Sequence, residues 1–281
     1  MDEQVLPTFF LIGAPKCGTS SLHHYLGLHP DISMSVVKEP QVFAGPDYDA
    51  GRVTLYERLL SRESRARGES SAVYSQFPRW ANVPERIHAA VPEARFVYLV
   101  GDPVTRVVAH YSQRVLNGGE RRSLSEATED WNEPNSLYLC ASRYATQVRR
   151  YLRLFPESRL FVVDQWDLLN RREDTLEKVF SFLGVDARFR SEAFAARLNT
   201  GERHRVPSRV GRSLEGSGVL EAARSVPLPG VARRPLRRLV SRRLDRPALD
   251  DTRRRQIEDA LRPETEWLRG FAGRRFESWS V

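Results

Sequence analysis

Lysine is almost missing from this chain. Of its 44 basic residues only Lys16, Lys38 and Lys178 are lysine, the other 41 are arginine, and no arginine precedes Arg52. Two of the three lysines fall near the N-terminus beside Gly and Pro turn signals, which suggests sites needing a compact point charge on a flexible stem rather than a planar fork. The competing reading is surface lysines placed by chance. Cysteine is scarce too. Cys17 and Cys140 exclude a disulfide framework and a cysteine-rich metal cluster, and both read as free thiols. No apolar run approaches the roughly 20 residues a membrane-spanning helix needs, and the start MDEQVLPTFF lacks a signal peptide's basic region and cleavage site. The expectation is a soluble, cytoplasmic protein. What the chain does contain, 281 residues with 41% hydrophobic and 28% charged, suffices for one substantial core, so residues 1–281 are read as a single domain. The net charge of +8 points to anionic partners: nucleotide, acidic saccharide, nucleic acid or membrane surface.

Apolar segments alternate with helix-like ones. FFLIG (8–13 region) reads as a short buried strand, followed by a helix from about Thr19 to Leu28 that HPD terminates. VVKEPQVF reads as a strand or extended stretch broken at Pro40. RFVYLV, Arg95 to Val100, is a second buried strand, and it enters a helix for which Asp102 is a natural N-cap and Pro103 the first residue. ASRYATQVRRYLRLFP is amphipathic, RLFVVD is a third strand, and TLEKVFSFLG is a helix closed by Gly184. Alternation of this kind predicts a P-loop-like α/β domain of three layers, with a central parallel sheet flanked by helices and ligands at the carboxyl ends of the strands. Residues 201–246 are rich in Arg, Gly, Pro and Ser and predict long loops; residues 250–281 predict a helical tail whose Ile257, Leu261, Trp267, Leu268 and Phe271 pack on the core.

The stretch GAPKCGTSSL carries the most chemistry. Gly13 and Gly18 have the spacing of a Walker A loop, but the lysine is Lys16, two residues before the second glycine instead of directly after it. Amides around residues 17–21 can still cradle a phosphate at the helix N-terminus, with Thr19, Ser20 and Ser21 as added donors. Lys16 then approaches from the strand side, where a bridging or leaving-group oxygen would lie.

PKCGTSSL resembles the 5′-phosphosulfate-binding loop of sulfotransferases that use 3′-phosphoadenosine 5′-phosphosulfate (PAPS). HPDI with KEPQVF (Lys38 to Phe43), GESSAVY (Gly68 to Tyr74), RFVYLVGDPVTRVVAHY, and SRYATQVRRYLRLFP with FSFLGV are similar to later elements of the heparan-sulfate and bacterial types, in order over about 170 residues. The resemblance implies in-line transfer of a sulfuryl group to a hydroxyl or amine of a saccharide or small metabolite, with no metal required. It implies catalytic Lys16 on the departing oxygen and Glu39 as the general base. It implies cofactor contacts from Pro15, Lys16, Cys17, Gly18, Thr19, Ser20 and Ser21, and an acceptor side formed by Lys38, Tyr74 and Tyr144. An exposed Lys38–Glu39 pair before a turn is the plain alternative for those two, and His23, His24 and His110 are rival bases.

Two departures stand out. The family's 3′-phosphate contacts, an Arg opening R-[DN]-P and a Ser eight residues on, are replaced by Gly101 and Ala109. Arg106, Arg114 and the basic loop with Arg203, Arg205, Arg209 and Arg212 are the candidate replacements, Arg106, Arg205 and Arg209 foremost, against solvated charge or a structural ion pair. Ala72 stands where the pattern has proline. The leading expectation is a PAPS-dependent sulfotransferase yielding adenosine 3′,5′-bisphosphate. The rivals are a transferase whose donor lacks the 3′-phosphate and a nucleotide- or polyanion-binding homologue without catalysis. A nucleic-acid partner is set aside, because a solvated basic face explains the Arg-rich 233–255 region more simply. The acceptor's identity and the oligomeric state are not legible in the residues.

Overall fold

The computed structural model describes residues 4–196, 205–207, 241–243 and 247–281. Its centre is a five-stranded, wholly parallel sheet in the order β2-β3-β1-β4-β5. The strands are β1 Phe9–Gly13, β2 Ile32–Met34, β3 Ala66–Ser70, β4 Arg95–Val100 and β5 Leu160–Asp164. Strands β1 and β4 have helices on both faces and neighbours on both sides, which is why they are continuous apolar runs. Phe9 to Ile12 and Phe96 to Val100 are fully enclosed, with Phe10 stacked on Phe96 at 5.9 Å between ring centres.

The helices are α1 Thr19–Leu26, α2 Tyr56–Leu59, α3 Val83–Ala90, α4 Pro103–Leu116, α5 Leu124–Ala127, α6 Tyr144–Leu152, α7 Gln165–Asn170, α8 Arg172–Leu183 and α9 Asp251–Ala272. α4 begins as its sequence dictates, with Pro103 at the first turn and the Asp102 carboxylate accepting the Thr105 N–H at 2.6 Å. α8 ends on left-handed Gly184. In the tail, Leu268 enters the main core, while Ile257 and Leu261 join Val104, Val107 and Tyr138 in a second cluster beneath α4.

Two expectations change. Residues 36–43 form no strand; they are bends and turns whose amides meet single backbone carbonyls (Val36, Glu39) or side chains (Gln41, Phe43) instead of a ladder. Conversely, β2 and β3 are strands that the sequence did not suggest, because β3 interrupts its apolar residues with Arg67, Gly68 and Glu69. Of the Arg-rich 201–246 region, only a short antiparallel pair is described, β6 Arg205–Pro207 with β7 Ser241–Arg243, and β6 lies alongside α4. Arg203, Arg209 and Arg212 lie outside the described residues.

Candidate active site

The loop 13–18 leaves the carboxyl end of β1, and Gly18 starts α1. Gly18 has φ 97°, a left-handed conformation that a glycine takes without a Cβ penalty, and no side chain caps the helix behind it. The first-turn amides of Thr19 and Ser20 therefore have neither an intrahelical carbonyl nor a cap to meet. An uncapped N-terminus with its dipole pointing outward suits an anionic oxygen. Thr19 is nearly enclosed, and Ser20 and Ser21 are half-buried.

Lys16 sits at φ 72° and Glu39 at φ 58°, both left-handed and both with side chains. Each costs about 1–2 kcal/mol relative to right-handed backbone, and such positions persist where surrounding bonds over-determine them. Lys16 Nζ donates to Gln113 Oε1 of α4 at 2.9 Å. Its side chain reaches solvent, yet crowding by protein desolvates the ammonium and lowers its pKa, while the nearby Glu39 carboxylate raises it and Lys38 lowers it further. Lys38 Nζ donates to Glu39 Oε1 at 2.6 Å, and the pair is partly exposed. Lys16, Lys38 and Glu39 thus share one electrostatic neighbourhood across the carboxyl ends of β1 and β3. The rival bases fare worse. Burial pushes His23 down to about 4, helped by Lys38, and His110 down to about 3, helped by Arg106 and Arg114.

Several expected contacts have other duties. Cys17 is fully buried, its thiol pushed up to about 11 by that burial, and its N–H is given to the Ala14 carbonyl at 3.2 Å. Pro15 has no N–H to offer. Tyr144 is enclosed beneath the loop, near the Cys17 sulfur, and donates to the Gly101 carbonyl at 2.8 Å. Tyr74 is also enclosed, its Oη accepting the Phe43 N–H at 3.0 Å. Neither tyrosine has a face open to an acceptor. Arg106 is 2% exposed and donates to Ser142 Oγ and the Tyr138 carbonyl, so it braces α4 against residues 138–142. Arg114 donates to the Gly119 carbonyl at 2.8 Å.

Three residues that sequence reasoning passed over belong here. Gln113 is the partner of Lys16, one turn beyond Ala109 on α4. Glu69, in β3, is fully buried beneath the Glu39 turn. Gln165, first residue after β5, fills the space beside Gly101: a Cβ built on residue 101 would lie 2.6 Å from Gln165 Oε1, and one on Gly18 would lie 3.8 Å from its Nε2. Its place at the carboxyl end of a parallel strand was the available signal.

A family model described as "Sulfotransferase domain" matches residues 6–200. The chain belongs to this sulfotransferase family. Among curated relatives it is 28% identical over 199 residues to the bovine (Bos taurus) bifunctional heparan sulfate N-deacetylase/N-sulfotransferase 2, covering 64% of this chain and 22% of that protein. It is also 28% identical over 185 residues to the human (Homo sapiens) heparan sulfate glucosamine 3-O-sulfotransferase 3B1, covering 64% and 46%. The chain therefore spans well under two thirds of the length of these relatives. A crystal structure of a sulfotransferase from Alicyclobacillus acidocaldarius shares the fold with a TM-score of 0.68 at 23% identity, covering 98% of both chains. Among the described residues, no helix is long and apolar enough to cross a membrane.

Proposed function

We propose that this chain transfers a sulfuryl group from PAPS to a hydroxyl or amine of a saccharide or small-molecule acceptor. The observation that carries this reading is the convergence of Lys16 and Glu39, each held at a left-handed backbone position and each within the other's field. PAPS supplies an activated sulfuryl group on a phosphosulfate anhydride. The amides of Gly18, Thr19 and Ser20, with the Ser20 and Ser21 hydroxyls, fit its 5′ end. Lys16 exchanges its bond to Gln113 for the oxygen that carries away negative charge, a stabilisation of developing charge that is worth about 10²–10³ in rate for one such donor. Glu39 has one oxygen on Lys38 and offers the other to the acceptor's proton.

The 3′ end fits less well. Gly101 and Ala109 offer no charge, Gln165 fills the place beside Gly101, and Arg106 is engaged in bracing α4. These observations favour a second reading, a donor without the 3′-phosphate, with Arg205 and Arg209 as further cations for the first.

Calorimetry with adenosine 3′,5′-bisphosphate against adenosine 5′-phosphate separates the two. A preference above about tenfold, or 1.4 kcal/mol, is expected for the PAPS reading, and equal affinity overturns it. In transfer assays from PAPS to a panel of desulfated saccharides, Lys16→Ala and Glu39→Gln are each expected to lower kcat about a hundredfold or more. Full rate in either variant removes the role given to that residue.

A further inference from the structure

Glu69 is a carboxyl group in the middle of the fold that the transfer chemistry does not use. It is fully buried in β3, and its neighbours form a closed polar cage. Tyr56 Oη, from α2, donates to Glu69 Oε2, and Ser71 Oγ donates to Glu69 Oε1. Tyr74 is hydrogen-bonded to it as well, and the charge of Arg52 and the ring of Tyr151 lie within its field.

The hydroxyls that face Glu69 on one side face the Glu39 turn on the other. Ser71 Oγ accepts the Gln41 N–H at 3.0 Å, and Tyr74 Oη accepts the Phe43 N–H at 3.0 Å. The Glu39 N–H goes to the Ser70 carbonyl at 2.9 Å. The carbonyls of the same turn are held by arginines: Arg52 donates to the carbonyls of Gln41 and Ala44, and Arg86 to those of Phe43 and Gly45. Within this turn Glu39 and Gln41 take φ 58° and 53°, so two residues with side chains are kept left-handed within three positions. Strain of that kind survives only where the surroundings fix it.

A hydroxyl has one proton to donate and lone pairs to accept with. An ionised carboxylate is acceptor-only, so Ser71 and Tyr74 give their protons to Glu69 and keep their lone pairs for the amides of Gln41 and Phe43. We propose that Glu69 is a positioning residue for the general base: by fixing the direction of these hydroxyls it holds the Glu39 turn in its left-handed shape beside Lys16. The residue rests on the transferase reading only for its effect on rate; the anchoring itself does not depend on any substrate. Burial raises the Glu69 carboxyl to about 7, so it takes up a proton near neutrality, turns partly donor and reverses one of the two hydroxyls.

The test uses the full chain and compares wild type with Glu69→Gln and Ser71→Ala, each checked for an unchanged far-ultraviolet circular dichroism spectrum. Hydrogen exchange over residues 36–45 is expected to speed at least tenfold in both variants at pH 8, and the wild type is expected to show faster exchange below about pH 7 than above it after correction for intrinsic rates. Glu69→Gln removes that break. With PAPS and an acceptor the wild type uses, kcat falls about tenfold or more while the affinity for adenosine 3′,5′-bisphosphate stays within about twofold. Unchanged exchange in both variants overturns the proposal, as does a fall in bisphosphate affinity equal to the fall in kcat. Failure of the wild type to transfer sulfuryl to any acceptor counts against the transferase reading, and the exchange result still decides the role of Glu69.

Discussion

Lys16 and Glu39 were legible as residues because each stands in a motif with chemical meaning, PKCGTSSL and KEPQVF. The surroundings that aim them were not, because Gln113, Gln165 and Glu69 lie 97, 149 and 53 positions from Lys16 along the chain and carry no local signal. Gly101 shows the difference. In the sequence it is a lost arginine; in the fold it is a place taken by Gln165. An arginine restored there alone must displace the Gln165 side chain from the place it occupies. Gly101→Arg is therefore expected to leave bisphosphate affinity unimproved, whereas Gly101→Arg with Gln165→Ala gains about tenfold or more, as a charged hydrogen bond to phosphate is worth about 1.5–3 kcal/mol. Titration calorimetry on the two variants checks this. Arg106 was a candidate because it stands at the second arginine of the family pattern, but a motif position cannot tell a residue that faces a ligand from one that faces residues 138–142 of its own chain.

Among the elements, β1, β4 and β5 were readable because buried parallel strands are apolar throughout, and α4, α8 and α9 because their caps and periodicity agree. β2 and β3 escaped because their ladders enclose a buried polar network, so Glu69 and Ser70 sit where an apolar residue would have marked a strand. α4 is the element on which most of the site leans. Its cap, Asp102, accepts not only from Thr105 but also from the N–H and Oγ of Ser280, at 2.6 and 2.7 Å, so one carboxylate ties the helix start to the tail. Asp102→Ala is expected to cost about 1–2 kcal/mol, the upper part of the range for an N-cap, lowering Tm by about 2–4 °C in a thermal melt. Asp102→Asn, which keeps the acceptor for Thr105 but sets an NH2 against the Ser280 N–H, is expected to recover only part of that loss.

At the scale of the molecule, the buried titrating groups pull stability in opposite directions with pH. Glu69, raised to about 7 from an ordinary 4.5, keeps a proton in the fold that the unfolded chain has released; its contribution is complete below about 4.5 and lost as pH rises through 7. His23 and His110, lowered to about 4 and about 3, act in reverse and lose their contribution as pH falls below 6.5. The difference between wild type and Glu69→Gln isolates the first effect: the Tm of the wild type relative to the variant is expected to fall steadily from pH 5 to 8, and a flat difference refutes the raised carboxyl. The desolvated ammonium of Lys16 has a further use at this scale. A protein whose basic residues are nearly all arginine presents few targets to amine acylation, since guanidinium is too weak a nucleophile. Of the three lysines, Lys38 is tied to the Glu39 carboxylate at 2.6 Å, while Lys16 is held by the neutral Gln113 amide and burial lowers its pKa. A succinimidyl ester at pH 8 is therefore expected to acylate Lys16 faster than Lys38 or Lys178, with adenosine 3′,5′-bisphosphate protecting it, so that one peptide in a mass map reports occupancy of the loop directly.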